Sequence, residues 1–293
     1  MSAFGYFGSK LRIANKLCNN LPRHNAWVEL FCGSAAMTLA KPLAPIEVIN
    51  DLNGDIINFF RQLRNNGPRL LKLIKLTPYA REEFEISRES YKGLSEVERA
   101  RRFFVSAMMA INGSFGDSPG GFSLSNSYTR GGMEARVSRW LRMPDYLETV
   151  VERLQTVRIE KKDGIKLFKE FKNRPGTLVY CDPPYLARRT RGYDYDQTTT
   201  EFHEKLLKEL VEAKCMVFVS GYEDPLYEKF LNERAGWKKQ IIDAVTKGNN
   251  GKSFERKEVI WFNPIYTKVL ESGRLPLTLS NMEFKNKKIN PER

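Results

Sequence analysis

Histidine is almost missing from this 293-residue chain, which has only His24 and His203. Two imidazoles so far apart leave little from which to assemble a zinc site or a Ser/His triad. Cysteine is scarce too: Cys18, Cys32, Cys181 and Cys215 are scattered, with no close pair at metal-ligand spacing. Three of them lie in or beside apolar runs, which reads as reduced thiols of a cytosolic protein and not as a disulfide framework. Long hydrophobic stretches are absent as well. The longest, Phe103 to Ile111, is interrupted by Ser106 and is far too short to span a bilayer. Met1 to Lys10 carries no apolar stretch of signal-peptide length. No internal repeat or low-complexity tract is visible, so the expectation is a soluble, cytoplasmic, globular protein with no membrane partner and no metal.

What is present is positive charge on a well-stocked core. Apolar residues make up 41% of the chain and aromatics 12%, enough for one large domain or a domain carrying an insert. Lys and Arg number 48 against 35 Asp and Glu, a net charge of +13. Such an excess suits either a hydrated basic surface or a polyanionic partner, of which nucleic acid is the commonest.

The chain opens as alternating helix and strand. Lys10 to Leu21 has helical apolar spacing and stops at Pro22; Ala26–Leu30 is a short apolar strand running into Phe31-Cys-Gly-Ser34. A helix over Ala35–Ala40, a strand Ile46–Ile49 ending at Asn50-Asp51 and a helix over Asn53–Leu63 follow. Strand, glycine turn, helix, strand, acid is the opening βαβ unit of a nucleotide-binding α/β sheet. From about Asn65 to Tyr146 the strand signal fades, with helices expected at Glu82–Tyr91 and Glu96–Ile111, then a Gly/Ser-rich loop from Asn112 to Gly132. Between Arg61 and Val150 there are 15 Lys/Arg against 10 Asp/Glu, the composition of a recognition lobe or of a hydrated helical decoration.

The α/β pattern then resumes with strands Val157–Glu160, Thr177–Cys181 and Met216–Ser220. Helices are expected over Gly164–Phe171, Glu201–Ala213 and Pro225–Arg234. Strands Gln240–Val245 and Lys257–Phe262, around the polar loop Thr246 to Phe254, read as a closing antiparallel hairpin. The basic tail from Lys268 is expected to fray.

The chemistry concentrates at Asp182-Pro183-Pro184-Tyr185, where a buried strand ends. Two prolines fix two φ angles and remove two backbone donors, leaving carbonyls with no local partner. The Asp182 carboxylate and the Pro183 carbonyl can each accept one hydrogen of an –NH2 group, and Tyr185 can stack on the ring that bears it. An aromatic amine is a poor nucleophile because its lone pair is delocalised. Accepting both hydrogens favours a pyramidal nitrogen and returns that pair for in-line attack. A simple strand-ending turn is the alternative.

With these residues the sequence resembles the Dam-type (D12 class, alpha order) site-specific DNA adenine N6-methyltransferases, over the chain to about Pro264. Four motifs carry the resemblance in the family's order: Tyr6-Phe-Gly-Ser-Lys10, Val28-Glu-Leu-Phe-Cys-Gly-Ser34, Asn50-Asp51-Leu-Asn53 and Asp182-Pro-Pro-Tyr185. It implies a seven-stranded, mostly parallel, Rossmann-like methyltransferase sheet with a closing antiparallel hairpin. Residues 1–60 and 155–266 would form the catalytic domain, 61–154 a helical target-recognition domain and 267–293 a tail. It implies transfer of the methyl of S-adenosyl-L-methionine to adenine N6 in double-stranded DNA, yielding S-adenosyl-L-homocysteine. A monomer is expected, with a cognate restriction endonuclease as the one protein partner the resemblance suggests.

For the cofactor, the resemblance implies Tyr6, Lys10, Glu29, Phe31, Gly33, Asp51, Asp163 and Asp182. Each has a plainer alternative. Tyr6 can be core, Lys10 a surface lysine, Glu29 a partner for a loop amide, Gly33 an ordinary turn glycine, and Asp51 or Asp163 a helix cap. For DNA, it implies Asn112-Gly113 and the insert arginines Arg81, Arg130, Arg136 and Arg139. Arg188, Arg189 and Arg191 follow the catalytic motif, unless Asp194 and Asp196 simply pair with them. Two departures stand out. Ala35 replaces the second glycine of the cofactor loop. Ser114-Phe115-Gly116-Asp117 stands where GATC-specific members carry an arginine, the usual bidentate reader of guanine, which argues against GATC as target. Cytosine N4 or RNA adenine as substrate, or a non-catalytic DNA-binding relic, are the competing readings.

Overall fold

The computed structural model describes residues 3–4, 10–111, 120–124, 132–186, 199–247 and 253–275. The first half runs α1 (Leu11–Cys18), β1 (Ala26–Glu29), α2 (Ala36–Ala40), β2 (Ile46–Asn50) and α3 (Gly54–Asn65). A helical stretch follows: α4 (Gly67–Leu76), α5 (Arg81–Ile86), α6 (Glu96–Met109), α7 (Ala135–Leu141) and α8 (Met143–Leu154). The α/β alternation returns with β3 (Val157–Glu160), α9 (Gly164–Phe171), β4 (Thr177–Cys181), α10 (Thr200–Val211), β5 (Met216–Gly221) and α11 (Pro225–Phe230). The hairpin β6 (Lys238–Lys247) and β7 (Ser253–Phe262) leads into α12 (Pro264–Ser272).

The strands form a single seven-stranded sheet in the order β3-β2-β1-β4-β5-β7-β6. β3 to β5 pair in parallel, while β7 is antiparallel to both β5 and β6. β1, β4 and β5 are buried along their whole length. Helices cover both faces, which is why these strands read as near-continuous apolar runs without polar alternation. One face packs Val28, Val48, Val179 and Val217 against α9, α10 and α11. The other packs Trp27, Leu178, Tyr180 and Phe218 against α1, α2 and α12. A third cluster joins the helical stretch to the sheet: Phe59, Phe60, Leu63, Phe104 and Leu147 are buried together with Ile49, Val157 and Ile159. Phe4 sits among the rings of Phe59, Phe60 and Phe103 at 5.1–5.9 Å, and the Ala3 amide donates to Ser34 O at 3.2 Å. Ala3 and Phe4 are thereby fastened across the loop that follows β1.

Several expectations need correcting. The tail does not fray at Lys268. Asn263 caps α12, accepting from Tyr266 N and from Val217 N of β5 and donating to Cys215 O, and Tyr266 and Val269 are buried. The hairpin strands are longer than their apolar cores, because the ladder continues through Thr246–Phe254 and Lys247–Ser253. The expected helix over Glu82–Tyr91 ends at Ile86. There the buried Ser87 hydroxyl donates to Phe84 O, a competing local bond that closes the last turn. The helix expected to reach Arg234 stops at Phe230, and Asn232 caps a separate 3₁₀ turn at Glu233–Ala235.

Candidate active site

In an open α/β sheet ligands lie beyond the carboxyl ends of the strands, where the strand order reverses. Here that place is between β1 and β4. The turn after β1, the acids after β2 and β3, and Asp182 after β4 all reach this edge.

The turn is built first. Gly33 and Ala35 both adopt left-handed conformations, φ +47° and +52°. Glycine reaches that region freely, whereas alanine there is strained by about 1–2 kcal/mol. Asp51 holds the turn closed, Oδ2 accepting from Gly33 N and Oδ1 from Asn53 N, each at 2.9 Å. Burial pushes its carboxyl up to about 6, against the pull of those amides. Asp51 is not the cap of α3; that is Asn53, whose Oδ1 accepts from Asp55 N and Ile56 N. A residue the sequence reading did not single out, Asn50, staples three strand ends. Its Nδ2 donates to Leu30 O and Lys162 O, and its Oδ1 accepts from Lys162 N.

Phe31 leans against the start of α9. A Cβ on Gly164 would stand 2.5 Å from its ring, so only glycine leaves the ring where it is. Asp163 caps α9 through Lys166 N at 2.9 Å. Glu29 turns inward and accepts from the Thr38 amide and hydroxyl, and Thr38 accepts from Trp27 Nε1. Burial raises its carboxyl to about 8. Its contacts are those of a brace for the first turn of α2.

At β4 the ladder stops with Cys181, since Pro183 and Pro184 have no amide to continue it. Asp182 accepts from Ser220 Oγ at 2.8 Å, and Ser220 also bonds the Tyr180 hydroxyl at 2.8 Å. Lys10, only 4% exposed, places Nζ 3.2 Å from Asp182 Oδ1 and 3.0 Å from Glu258 Oε2, and donates to the Tyr185 hydroxyl. Such burial excludes the surface-lysine alternative. The Tyr185 ring lies 4.4 Å from that of Tyr222. Burial would lower the Lys10 ammonium, yet Asp182, Tyr185, Tyr180 and Glu258 outweigh it and hold it well above its ordinary value. Burial raises the Asp182 carboxyl; Lys10 opposes this and Glu258 adds to it. Sequence reasoning missed Ser220 and Glu258. The one visible signal was an acid set directly before an apolar run, Glu258 before Val259-Ile-Trp-Phe262.

The sequence profile of the D12 class N6 adenine-specific DNA methyltransferases matches residues 6–239. The chain belongs to that family. It is an S-adenosylmethionine-dependent DNA methyltransferase. The Type II methyltransferase M1.LlaDCHI of Lactococcus lactis subsp. cremoris is 29% identical over 260 residues, covering 81% of this chain and 84% of that one. Among solved structures, a SAM-dependent methyltransferase from Agrobacterium tumefaciens aligns with 10% identity and TM-score 0.38, covering 89% of this chain and 63% of that one. Precorrin-6y C5,15-methyltransferase of Geobacter metallireducens aligns with 9% identity and TM-score 0.37, covering 86% of each. At that distance these two add nothing to what the strand order already says.

The residues expected to face DNA in this methyltransferase are only partly in view. Tyr6, Asn112, Gly113, Arg130, Arg188, Arg189 and Arg191 lie outside the described residues, as do residues 248–252 of the hairpin loop. Arg81 places its guanidinium 5.1 Å from the centre of the Phe122 ring. Arg136 and Arg139, one turn apart on α7, both act on the phenol of Tyr79. Among the described residues no carboxylate pairs with these three. The α6 arginines differ: Arg99, Arg101 and Arg102 are tied to Asp55, Glu83, Glu89, Glu96 and Glu98. Also among the described residues, no group of three or more His, Cys, Asp or Glu is spaced to hold a metal. No described helix is long and apolar enough to cross a membrane.

Proposed function

We propose that this chain methylates N6 of an adenine flipped out of duplex DNA, at a target other than GATC. The observation that carries the reading is the Asp182 carboxylate at the strand-order reversal, held by Ser220 and only partly neutralised by a shared Lys10.

The donor set around the β1 turn suits S-adenosylmethionine. The left-handed Gly33 allows close backbone approach, Asp51 offers a carboxylate to ribose hydroxyls, and Phe31 and Asp163 stand where a purine can be stacked and its amine received. When bound, the cofactor supplies an electrophilic methyl whose S–C bonding pair stays on sulfur while the amine lone pair forms the new N–C bond. Asp182 and the Pro183 carbonyl accept the two amine hydrogens and localise that lone pair. Tyr185, backed by Tyr222, stacks on the base. The proton shed by the methylated amine leaves by way of the Asp182 carboxylate.

Flipping costs a few kcal/mol. Phosphate contacts from Arg81, Arg136 and Arg139, joined by Arg130, Arg188, Arg189 and Arg191, offset it and impose a strong salt dependence. The helical segment 61–154 is read as the target-recognition domain. The enzyme is read as a cytoplasmic monomer; the Type II description of the Lactococcus relative suggests a cognate restriction endonuclease as its counterpart.

The test is transfer of labelled methyl from S-adenosylmethionine to mixed-sequence duplex DNA, with nucleosides identified after digestion. N6-methyladenine that vanishes in Asp182→Ala is expected. Label in N4-methylcytosine, or in RNA alone, would overturn the substrate; cofactor binding without any transfer would leave a DNA-binding relic.

A further inference from the structure

Glu258 has no part in the scheme above, yet it reaches the catalytic acid through a single cation. β7 runs antiparallel to β5, so its early residues stand beside the carboxyl end of β5: Val259 faces Gly221 and Ile260 faces Ser220. Side chains alternate along a strand. Val259 and Trp261 pack toward α10 and α11, and Ile260 packs toward α1 and α12. Glu258 therefore shares the Ile260 face, and there it meets Lys10. Its side chain is only 14% exposed.

A lysine ammonium has three hydrogens to give. This one donates to the Tyr185 hydroxyl and stands at ion-pair distance from Asp182 Oδ1 and Glu258 Oε2, the latter oxygen receiving no aligned hydrogen bond among the described residues. The buried cluster thus holds two carboxylates for one ammonium, and neither is fully compensated. We propose that Glu258 is a positioning residue for methyl transfer, sharing the Lys10 ammonium so that it does not close on Asp182 as a full ion pair. This rests on Asp182 being the acceptor for the substrate amine. With Glu258 in place the Asp182 carboxylate keeps lone pairs for those hydrogens. Without it, Lys10 turns wholly to Asp182 and occupies them.

The charged and titratable groups that Glu258 acts on among the described side chains are Lys10, Asp182 and Tyr185; Tyr180 faces Lys10 and Asp182. Removing the Glu258 charge takes an anion from beside Asp182, so Asp182 protonates at lower pH. In Glu258→Gln, kcat for labelled methyl transfer to duplex DNA is expected to fall about tenfold. Its acid limb is expected to move down by about one pH unit. Affinity for S-adenosylmethionine should stay within about twofold, which also reports that the variant folds. Glu258→Asp, which keeps the charge, should retain the native acid limb, and it carries the test if the glutamine variant fails to fold: an acid limb moved down in Glu258→Asp would overturn the proposal. A native enzyme that transfers methyl normally beside a Glu258→Gln variant with unmoved kcat and acid limb overturns this inference alone. No transfer by the native chain overturns it together with the proposed function.

Discussion

Two buried lysines sit under the same sheet face and meet opposite fates. Lys10 shares itself between Asp182 and Glu258 at the carboxyl edge of the strands. Lys41, the residue that closes α2, lies beside Glu47 of β2, whose carboxylate is also bonded by Arg153 and the Ala44 amide; Arg153 further donates to Thr38 O. In the first cluster acids outnumber the cation, Lys10 is raised, and burial keeps Asp182 above the usual carboxylate range. In the second, cations outnumber the acid. Burial lowers Lys41, while Arg153 and Lys41 overcome burial to hold Glu47 below its usual value. A carboxylate saturated with donors fastens α2, β2 and α8 together. A carboxylate left short of donors keeps lone pairs free, as the proposed amine acceptor must.

The widest separation between the clusters is expected at their central acids. Asp182→Ala should lower kcat about 10⁴-fold, roughly 5 kcal/mol of barrier, with the melting temperature little changed. A drop of less than tenfold would place the amine acceptor elsewhere. Glu47→Gln should do the reverse. It strands two buried cations and costs about 3–4 kcal/mol of stability in urea unfolding, with transfer near native in the folded fraction. A variant as stable as the native chain would mean the cluster is not the lock described.

Acid should separate them next. Asp51 is raised from 3.8 to about 6, so the native state binds that proton more readily than the unfolded chain does. Its stabilising contribution is full below about 3.8 and is lost as pH rises through about 6, so mild acidification does not unfold the protein through this group. Glu47, lowered, contributes above 4.5 and loses that contribution as pH falls through its folded value. Methyl transfer should therefore fail on acidification before circular dichroism reports unfolding. Coincident loss of both would erase the distinction. The smallest effect belongs to Ala35. Ala35→Gly relieves a left-handed alanine, but gives up a buried methyl and adds unfolded-chain entropy. Stability should stay within about 0.5–1 kcal/mol of native by thermal melting; a larger loss would show that the methyl packs more tightly than its backbone suggests.

Much of the sheet was readable because β1, β4 and β5 are buried throughout and mostly apolar, and a Pro-Pro pair marks where β4 stops. Helices α4 and α8 were not located within the insert, since their apolar stripes face the sheet across a cluster whose partners, such as Ile49 and Ile159, are distant in sequence. The ends of the hairpin were misjudged because the backbone ladder runs on through polar positions such as Thr246 and Ser253, which an apolar pattern does not register. In the site, Asp51 and Asp182 were legible as acids at strand ends. Lys10 was legible as a site residue but its ties to Asp182 and Glu258 were not, and Ser220 and Glu258 were passed over, because neighbours 38 and 248 residues away decide what they touch.

That last separation has a consequence for how the enzyme comes into being. The lysine that touches Asp182 arrives with α1, and the glutamate proposed to restrain it arrives with β7, 248 residues later in synthesis. Until the hairpin has docked, Asp182 is the one carboxylate among the described residues that Lys10 pairs with, and on the proposed scheme the pair is expected to close and stay silent. An incomplete chain would thus carry every motif of the family and still leave the genome unmarked.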